Sequence, residues 1–170
     1  MKKITSFVIA TCICFCACKR PVQYSEIPEI KFISFEQLSQ TAGLLTLYFQ
    51  DGDGDLGLDR NDTYPPFDNS SIYFYNFFCD YYEKQNGVFI KIDSTETNIG
   101  LTPFNLHARF PRLSSLPEES INGDIFLKLT PYRIKTPFDT IQLKFYIVDR
   151  KLNHSNVEEI VVIRNNEMMR

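Results

Sequence analysis

Five aspartates lie close together in a short segment that follows an alternating apolar run. Asp51, Asp53 and Asp55 occupy every second position, and Asp59 and Asp62 follow within the same segment. Carboxylates about 4–6 Å apart repel each other by about 1 kcal/mol per pair even in water, and by more near an apolar surface. A hard cation removes this repulsion, and hard cations prefer oxygen ligands. The pattern therefore predicts a metal site formed by these five aspartates, with Ca²⁺ as its ion.

The spacing of these aspartates partly matches the calcium loop of an EF-hand, whose ligands include the first, third, fifth, ninth and twelfth positions. Leu56 stands where that loop has glycine, and Asp62 stands where it has the longer glutamate. A strand-like run precedes the segment, whereas an EF-hand requires a helix there. We therefore predict a looser Asp-x-Asp-x-Asp site in a β-loop. The alternative is a series of Asp-Gly turns whose side chains bind their own backbone.

A second polar segment follows an apolar run and carries Asp149, Asn153 and Ser155. It resembles the last hairpin of bacterial immunoglobulin-like domains, although Leu152 stands where those domains usually have glycine. In such sandwiches the loop after the second strand and the loop before the last strand lie at the same pole. This resemblance implies that Asp149 and Asn153 approach the aspartates around Asp51 and join the metal site. The alternative is that both side chains only satisfy backbone groups of their own turn.

The elements that must position these residues are strands. Asn86-Gly87 favours a two-residue hairpin turn, since both positions of such a turn need positive φ. The first strand should run antiparallel to the second, so the chain should enter the domain at the end where Asp51 lies. About eight strands in about 140 residues predict an antiparallel β-sandwich of the immunoglobulin or fibronectin type. Segments rich in β-branched and aromatic residues, separated by Asn, Asp, Gly and Pro, cover residues 30–35, 44–50, 71–83, 88–93, 106–110, 125–130, 139–149 and 157–164.

The first residues are typical of an export signal. Lys2 and Lys3 precede an apolar run that is too short to span a bilayer. Ala17 before Cys18 resembles a bacterial lipobox, which implies that Cys18 becomes the lipidated first residue of the mature protein. An ordinary cleaved signal peptide is the alternative. The predicted division is a signal peptide at 1–17, a lipidated cysteine and tether at 18–29, a sandwich at 30–165 and a tail at 166–170.

Processing at Cys18 decides the cysteine chemistry and the charge. Only Cys79 then remains in the interior of the chain, so we predict no internal disulfide and a buried, apolar role for its thiol. Loss of Lys2 and Lys3 leaves 16 basic and 21 acidic residues, a net charge of −5. The chain has no basic stripe, which makes nucleic acid an unsuitable partner.

As a set, several motifs resemble a family of small lipoproteins of Bacteroidetes for which no activity is established. The resemblance implies an exported, acylated, immunoglobulin-like sandwich at the outer membrane. Surface lipoproteins of these bacteria tend to carry acidic residues after the lipidated cysteine, whereas Lys19 and Arg20 follow here, which favours the periplasmic face. The matching segments are 49–57 (FQDGDGDLG), 81–84 with Asn86-Gly87, 137–140, Asp149-Arg150, Leu152-Asn153 and Ser155-Asn156.

The sequence gives little support to catalysis. His107 and His154 are the only histidines, and no nucleophile elbow, phosphate loop or Cys/His metal cluster occurs. We therefore predict a non-catalytic binding or assembly module with a protein or glycan partner. A carbohydrate-binding accessory protein is the first alternative, and its candidate contacts are Tyr73, Tyr75, Tyr81 and Tyr82. A hydrolase is the second alternative.

Overall fold

The computed structural model describes residues 24–92, 98–99, 102–113, 119–135 and 137–164, and these are nearly all β. The predicted signal peptide, Cys18 and the C-terminal tail lie outside the described residues. One 3₁₀ turn, Ile72–Phe74, accompanies the strands. The strands are β1 (Glu29–Gln37), β2 (Gly43–Asp51), β3 (Phe77–Gln85), β4 (Val88–Lys91), β5 (Asn98–Ile99), β6 (Thr102–Pro103), β7 (Ile121–Leu129), β8 (Thr140–Ile147) and β9 (Glu158–Ile163).

Seven of these strands form two antiparallel sheets. The first sheet has the order β1-β2-β7 and the second has the order β4-β3-β8-β9, while β5 and β6 form a small hairpin of their own. This arrangement confirms the predicted all-β, antiparallel fold and is consistent with a sandwich. No helix in the described part of the chain is long and apolar enough to cross a membrane.

The core lies between the inner faces of the two sheets. Leu45 and Leu47 of β2 are fully buried, as are Leu143 and Phe145 of β8. In both strands these residues alternate with more polar or more exposed positions, as a strand with one face in the core requires. Full burial of such a side chain stabilises the fold by about 1.5–3 kcal/mol. Cys79 is buried in the same core, as the sequence predicts for its thiol.

Two predicted strands differ from the observed ones. The segment predicted from residue 71 becomes a strand only at Phe77, because Ser71 caps the 3₁₀ turn and accepts a hydrogen bond from the amide of Tyr73. Residues 106–110 form no strand. The Asn76 side chain instead binds both the amide and the carbonyl of Phe110, at 2.8 and 2.9 Å, and holds that segment against the sheet.

Two other local predictions are confirmed. The β3–β4 hairpin turns at Asn86 and Gly87, whose φ angles are 50° and 85°. At the other end of the molecule, Glu29 pairs with Gln50, and the amide of Gly52 donates a 2.7 Å hydrogen bond to the carbonyl of Ser25. The chain therefore enters the domain beside Asp51.

Candidate metal centre

Three carboxylates from different parts of the chain meet at one end of the two sheets. Asp51 is the last residue of β2, Asp55 lies in the loop that follows, and Asp149 comes shortly after β8. One oxygen from each carboxylate lies within 4.8 Å of the others. Two oxygens bound to the same Ca²⁺ are at most about 5 Å apart, because each Ca–O distance is about 2.3–2.6 Å. The acidic centre formed by Asp51, Asp55 and Asp149 could therefore hold one metal ion.

Glycine and leucine shape the loop that carries Asp55. Gly54 has a φ of +68°, and a Cβ at this position would collide with the carbonyl oxygen of Glu119. Leu56 is fully buried in the core, and its amide donates a 3.2 Å hydrogen bond to Oδ2 of Asp51. The loop is thus fixed at a buried side chain and folds back over the end of β2.

The Asp149 carboxylate is held by its own turn. The backbone amide of Asn153 donates to Oδ1 of Asp149 at 2.7 Å, and the Asn153 side-chain amide donates to Oδ2 at 2.8 Å. Leu152 completes this turn with a φ of +66°, in the left-handed region that favours glycine. Asn153 therefore orients Asp149, and its part as a ligand of its own stays a prediction. The hydroxyl oxygen of Ser155 accepts a hydrogen bond from the backbone amide of Ile147 and so supports the backbone instead.

Several carboxylate oxygens around the acidic centre have no hydrogen-bond partner. Within the described residues, Oδ1 of Asp51, of Asp53 and of Asp55 is buried and unpaired. Asp51 as a whole has no exposed surface. An unsatisfied buried polar group costs about 1–3 kcal/mol, and more when it is charged. The orphaned oxygens could accept a positively charged ligand.

The electrostatics of the acidic centre point in the same direction. Burial, followed by the neighbouring Asp53 and Asp55, raises the pKa of Asp51 to about 7. Burial and the charge of Asp149 raise the pKa of Asp55 to about 6. Burial also raises the pKa of Asp149, against the effect of its hydrogen bonds from Asn153. Each carboxyl group of the centre therefore loses its proton less readily than an ordinary aspartate does.

Lys151 lies beside this group and pairs with Asp53. Its Nζ lies 2.5 Å from Oδ2 of Asp53 and 3.5 Å from Oε2 of Glu26. The hydrogen bond to Asp53 raises the pKa of Lys151. Asp53 thus lies beside the centre with its charge partly compensated. A single ammonium does not balance Asp51, Asp55 and Asp149 as well.

The structure does not bring Asp59 and Asp62 to the acidic centre, although the sequence grouped them with it. Arg150 binds both carboxylate oxygens of Asp62, and Arg109 donates to the carbonyl oxygens of Asp59 and Asp62 at 2.9 and 2.8 Å. The hydrogen bond from Arg150 lowers the pKa of Asp62. We call this group the arginine-bound loop: the Asp62 carboxylate has Arg150 as its positive partner, and Arg109 binds the backbone of Asp59 and Asp62.

Sequence reasoning missed these arginines as partners and misplaced one tyrosine. Arg150 follows Asp149 directly in the sequence, and this cation next to a predicted ligand was a signal that could have been used. Arg109 is separated from Asp59 by 50 residues, and only the fold brings them together.

Tyr81, a predicted sugar contact, is 3% exposed, and its hydroxyl donates to Glu83 inside the protein.

The fold and this site together define an all-β protein with a candidate metal centre at one end of its sheets. Comparison with protein-family models, with curated proteins and with solved structures found no match.

Proposed function

We propose that the acidic centre binds Ca²⁺ and that the protein is a non-catalytic, immunoglobulin-like binding or assembly module. The observation that carries this proposal is the convergence of the Asp51, Asp55 and Asp149 carboxylates, together with one buried oxygen on Asp51 and one on Asp55 that have no hydrogen-bond partner among the described residues. All of the donors are oxygens, which hard cations such as Ca²⁺ prefer, and the group contains no imidazole or thiolate. Ca²⁺ also accepts irregular coordination, which suits ligands supplied by a loop and two strand ends.

A structural role for the ion follows from where the ligands come from. Asp51 ends a strand of one sheet, and Asp149 follows a strand of the other sheet. A cation between them links the two sheets and fixes the loop that contains Asp55. Asp149 is already oriented by Asn153, so little further ordering is needed when the ion binds.

The strand order supports the immunoglobulin-like part of the proposal. In immunoglobulin nomenclature, β1-β2-β7 corresponds to strands A-B-E, and β4-β3-β8-β9 corresponds to C′-C-F-G. The first strand starts beside the acidic centre, where Ser25 binds Gly52. If Cys18 carries lipid, the tether that starts at residue 18 spans at most about 40 Å, so the ion would lie close to the membrane. For the location, we propose a lipoprotein anchored in the outer membrane, on the periplasmic face of that membrane.

The described tyrosines give no specific support to the carbohydrate alternative. Tyr146 stacks on Phe78 at 5.0 Å and on His154 at 5.3 Å between ring centroids. These rings therefore cover each other's faces, which a sugar would need for stacking. We accordingly retain a protein partner, or a glycan bound by other means, as the target of the module.

The proposal is tested by calcium titration of the purified protein with thermal unfolding as the readout. A ligand that binds only the folded state adds about 2.7 kcal/mol at a hundredfold excess over Kd, so Ca²⁺ should raise Tm. Asp51→Asn should abolish this shift, because it removes a converging carboxylate charge. Asp59→Asn is the matched control, since Asp59 lies in the arginine-bound loop, and it should preserve the shift. Absence of a shift at millimolar Ca²⁺ in the unmodified protein would refute the proposal.

A further inference from the structure

The outer edge of β7 is a long strand edge that nothing in the described part of the chain covers. β7 is the last strand of its sheet and contains nine residues, Ile121–Leu129. Within the described residues, no backbone or side-chain group hydrogen-bonds to that edge. An open edge of this length is a ready template for another strand, and soluble proteins usually protect such edges.

At the other long strand edges, those of β1 and β9, side chains bind exposed backbone groups. Between β1 and β9, the Asn156 side chain binds the amide and carbonyl of Ile30 at 2.8 and 2.9 Å, and Gln37 donates to the carbonyl of Ile163 at 2.9 Å. These side chains take the place of a missing strand-to-strand ladder. The β4 edge has only four residues. Among the described residues, β7 is therefore the long edge strand whose outward backbone groups no side chain binds.

The register of the sheet decides which groups of β7 point outward. Asn156 binds the N–H and the C=O of Ile30, so these two backbone groups point away from β2. Phe49 lies opposite Ile30, so its own N–H and C=O point toward β7. Phe49 pairs with Gly123, so Gly123 and every second residue after it are bonded to β2. The intervening residues present their N–H and C=O groups to the free edge, namely Asn122, Asp124, Phe126 and Lys128.

The side chains of the same residues are complementary to themselves. Phe126 is 65% exposed, and Asp124 and Lys128, also exposed, stand two positions before and two positions after it. In an antiparallel pair centred on Phe126, this ring faces the partner's Phe126, and Asp124 faces the partner's Lys128. Aromatic pairs and opposite charges at directly opposed positions stabilise a sheet. A parallel pair in register would place Asp124 against the partner's Asp124.

We propose that two copies of this chain pair antiparallel along β7, with the twofold axis at Phe126. The result is one continuous six-stranded sheet made from the β1-β2-β7 sheets of both copies. This register can form a hydrogen-bonded ladder, because the two residues of each opposed pair both point their N–H and C=O groups toward the free edge. A shift by two residues would keep the hydrogen bonds but would place Asp124 against the partner's Phe126. The charge pattern thus selects one register and one kind of occupant, a second copy of the chain.

The first test is the mass of the full chain in detergent, measured by light scattering with correction for detergent. We expect a dimer that Lys128→Asp weakens by about tenfold, because each copy then opposes Asp124 to an acid. The double exchange Asp124→Lys with Lys128→Asp should restore the dimer. All of these side chains are exposed, so circular dichroism should show an unchanged fold. A monomer at every concentration, or a dimer that ignores both substitutions, would overturn the proposal.

Disulfide trapping tests the register itself. Opposed Cα atoms in a hydrogen-bonded antiparallel pair are about 5.5 Å apart, a distance that a disulfide spans. Phe126→Cys should therefore form a covalent dimer on oxidation. Asp124→Cys is the matched control, since the two copies of that position lie about 14 Å apart in this register and should not cross-link. Equal cross-linking of both variants would contradict the register.

Discussion

The acidic centre and the arginine-bound loop are neighbours in sequence and opposites in chemistry. Both take aspartates from the segment 51–62, yet the pKa of Asp51 is raised to about 7 and the pKa of Asp62 is lowered. Asp62 has Arg150 within bonding distance, whereas Asp51 has a buried oxygen without a partner in the described residues. A run of acidic residues therefore divides according to where the fold supplies its own cations. Where it supplies none, an external cation is favoured.

The largest expected consequence of this difference is a pH-dependent need for calcium. An unfolded aspartate has a pKa of about 3.9, whereas Asp51 in the folded, ion-free protein has a pKa of about 7. The folded state therefore binds more protons between these values, and the free energy of unfolding should fall as pH rises from about 4 to 7. If Ca²⁺ binds as proposed, it replaces those protons, so its stabilising effect should grow over the same range.

Urea unfolding with and without Ca²⁺, at pH 5 and pH 8, measures this effect. We expect a larger calcium-dependent gain in the free energy of unfolding at pH 8. Asp51→Asn should reduce the pH dependence of the ion-free protein, because the amide carries no titrating proton, while the raised pKa values of Asp55 and Asp149 preserve part of it. An equal calcium effect at the two pH values would contradict the link between the raised pKa values and the ion.

A smaller effect is expected from the arginine-bound loop. Arg150→Met removes both hydrogen bonds to Asp62 and should lower the free energy of unfolding by about 1 kcal/mol, since the pair is partly buried. Calcium should not restore this loss, because Asp62 lies outside the acidic centre. The measurement is urea unfolding of the variant with and without Ca²⁺.

Lys144→Met serves as the control for that experiment. Lys144 pairs with Glu159 at 2.9 Å on the surface, and its removal should change stability less than removal of Arg150 does. If saturating Ca²⁺ rescued Arg150→Met specifically, Asp62 would belong to the ion site after all, and the division between the two regions would be wrong.

The parts of this molecule that the sequence predicted share a physical basis. Period-two alternation and turn residues predicted the strands, because each strand buries one face. The resemblance to immunoglobulin-like sandwiches then predicted that Asp149 would approach Asp51, since the loops that carry them lie at one pole of such sandwiches, and the two carboxylates do meet. The role of Asp59 and Asp62 could not be predicted in this way. It depends on Arg109, whose guanidinium reaches them only through long-range packing.

Backbone strain differs between two non-glycine residues with positive φ, one beside the acidic centre and one far from it. Leu152 has a φ of +66° beside the centre, and Asn86 has a φ of +50° in the β3–β4 hairpin. A left-handed conformation costs a residue such as leucine about 1–2 kcal/mol, whereas asparagine tolerates it. Leu152→Gly should therefore raise the free energy of unfolding by about 0.5–1 kcal/mol, after allowance for the more flexible unfolded chain. Asn86→Gly should change it by less.

Both substitutions are measured by urea unfolding, together with the calcium Kd of Leu152→Gly. We expect that Kd to stay within about twofold of the original, because Asn153 keeps its two hydrogen bonds to Asp149 when the strain at residue 152 is relieved. A clear loss of calcium affinity would mean that the strained leucine itself holds Asn153 against Asp149. The turn would then belong to the ion site through its conformation as well as through its carboxylate.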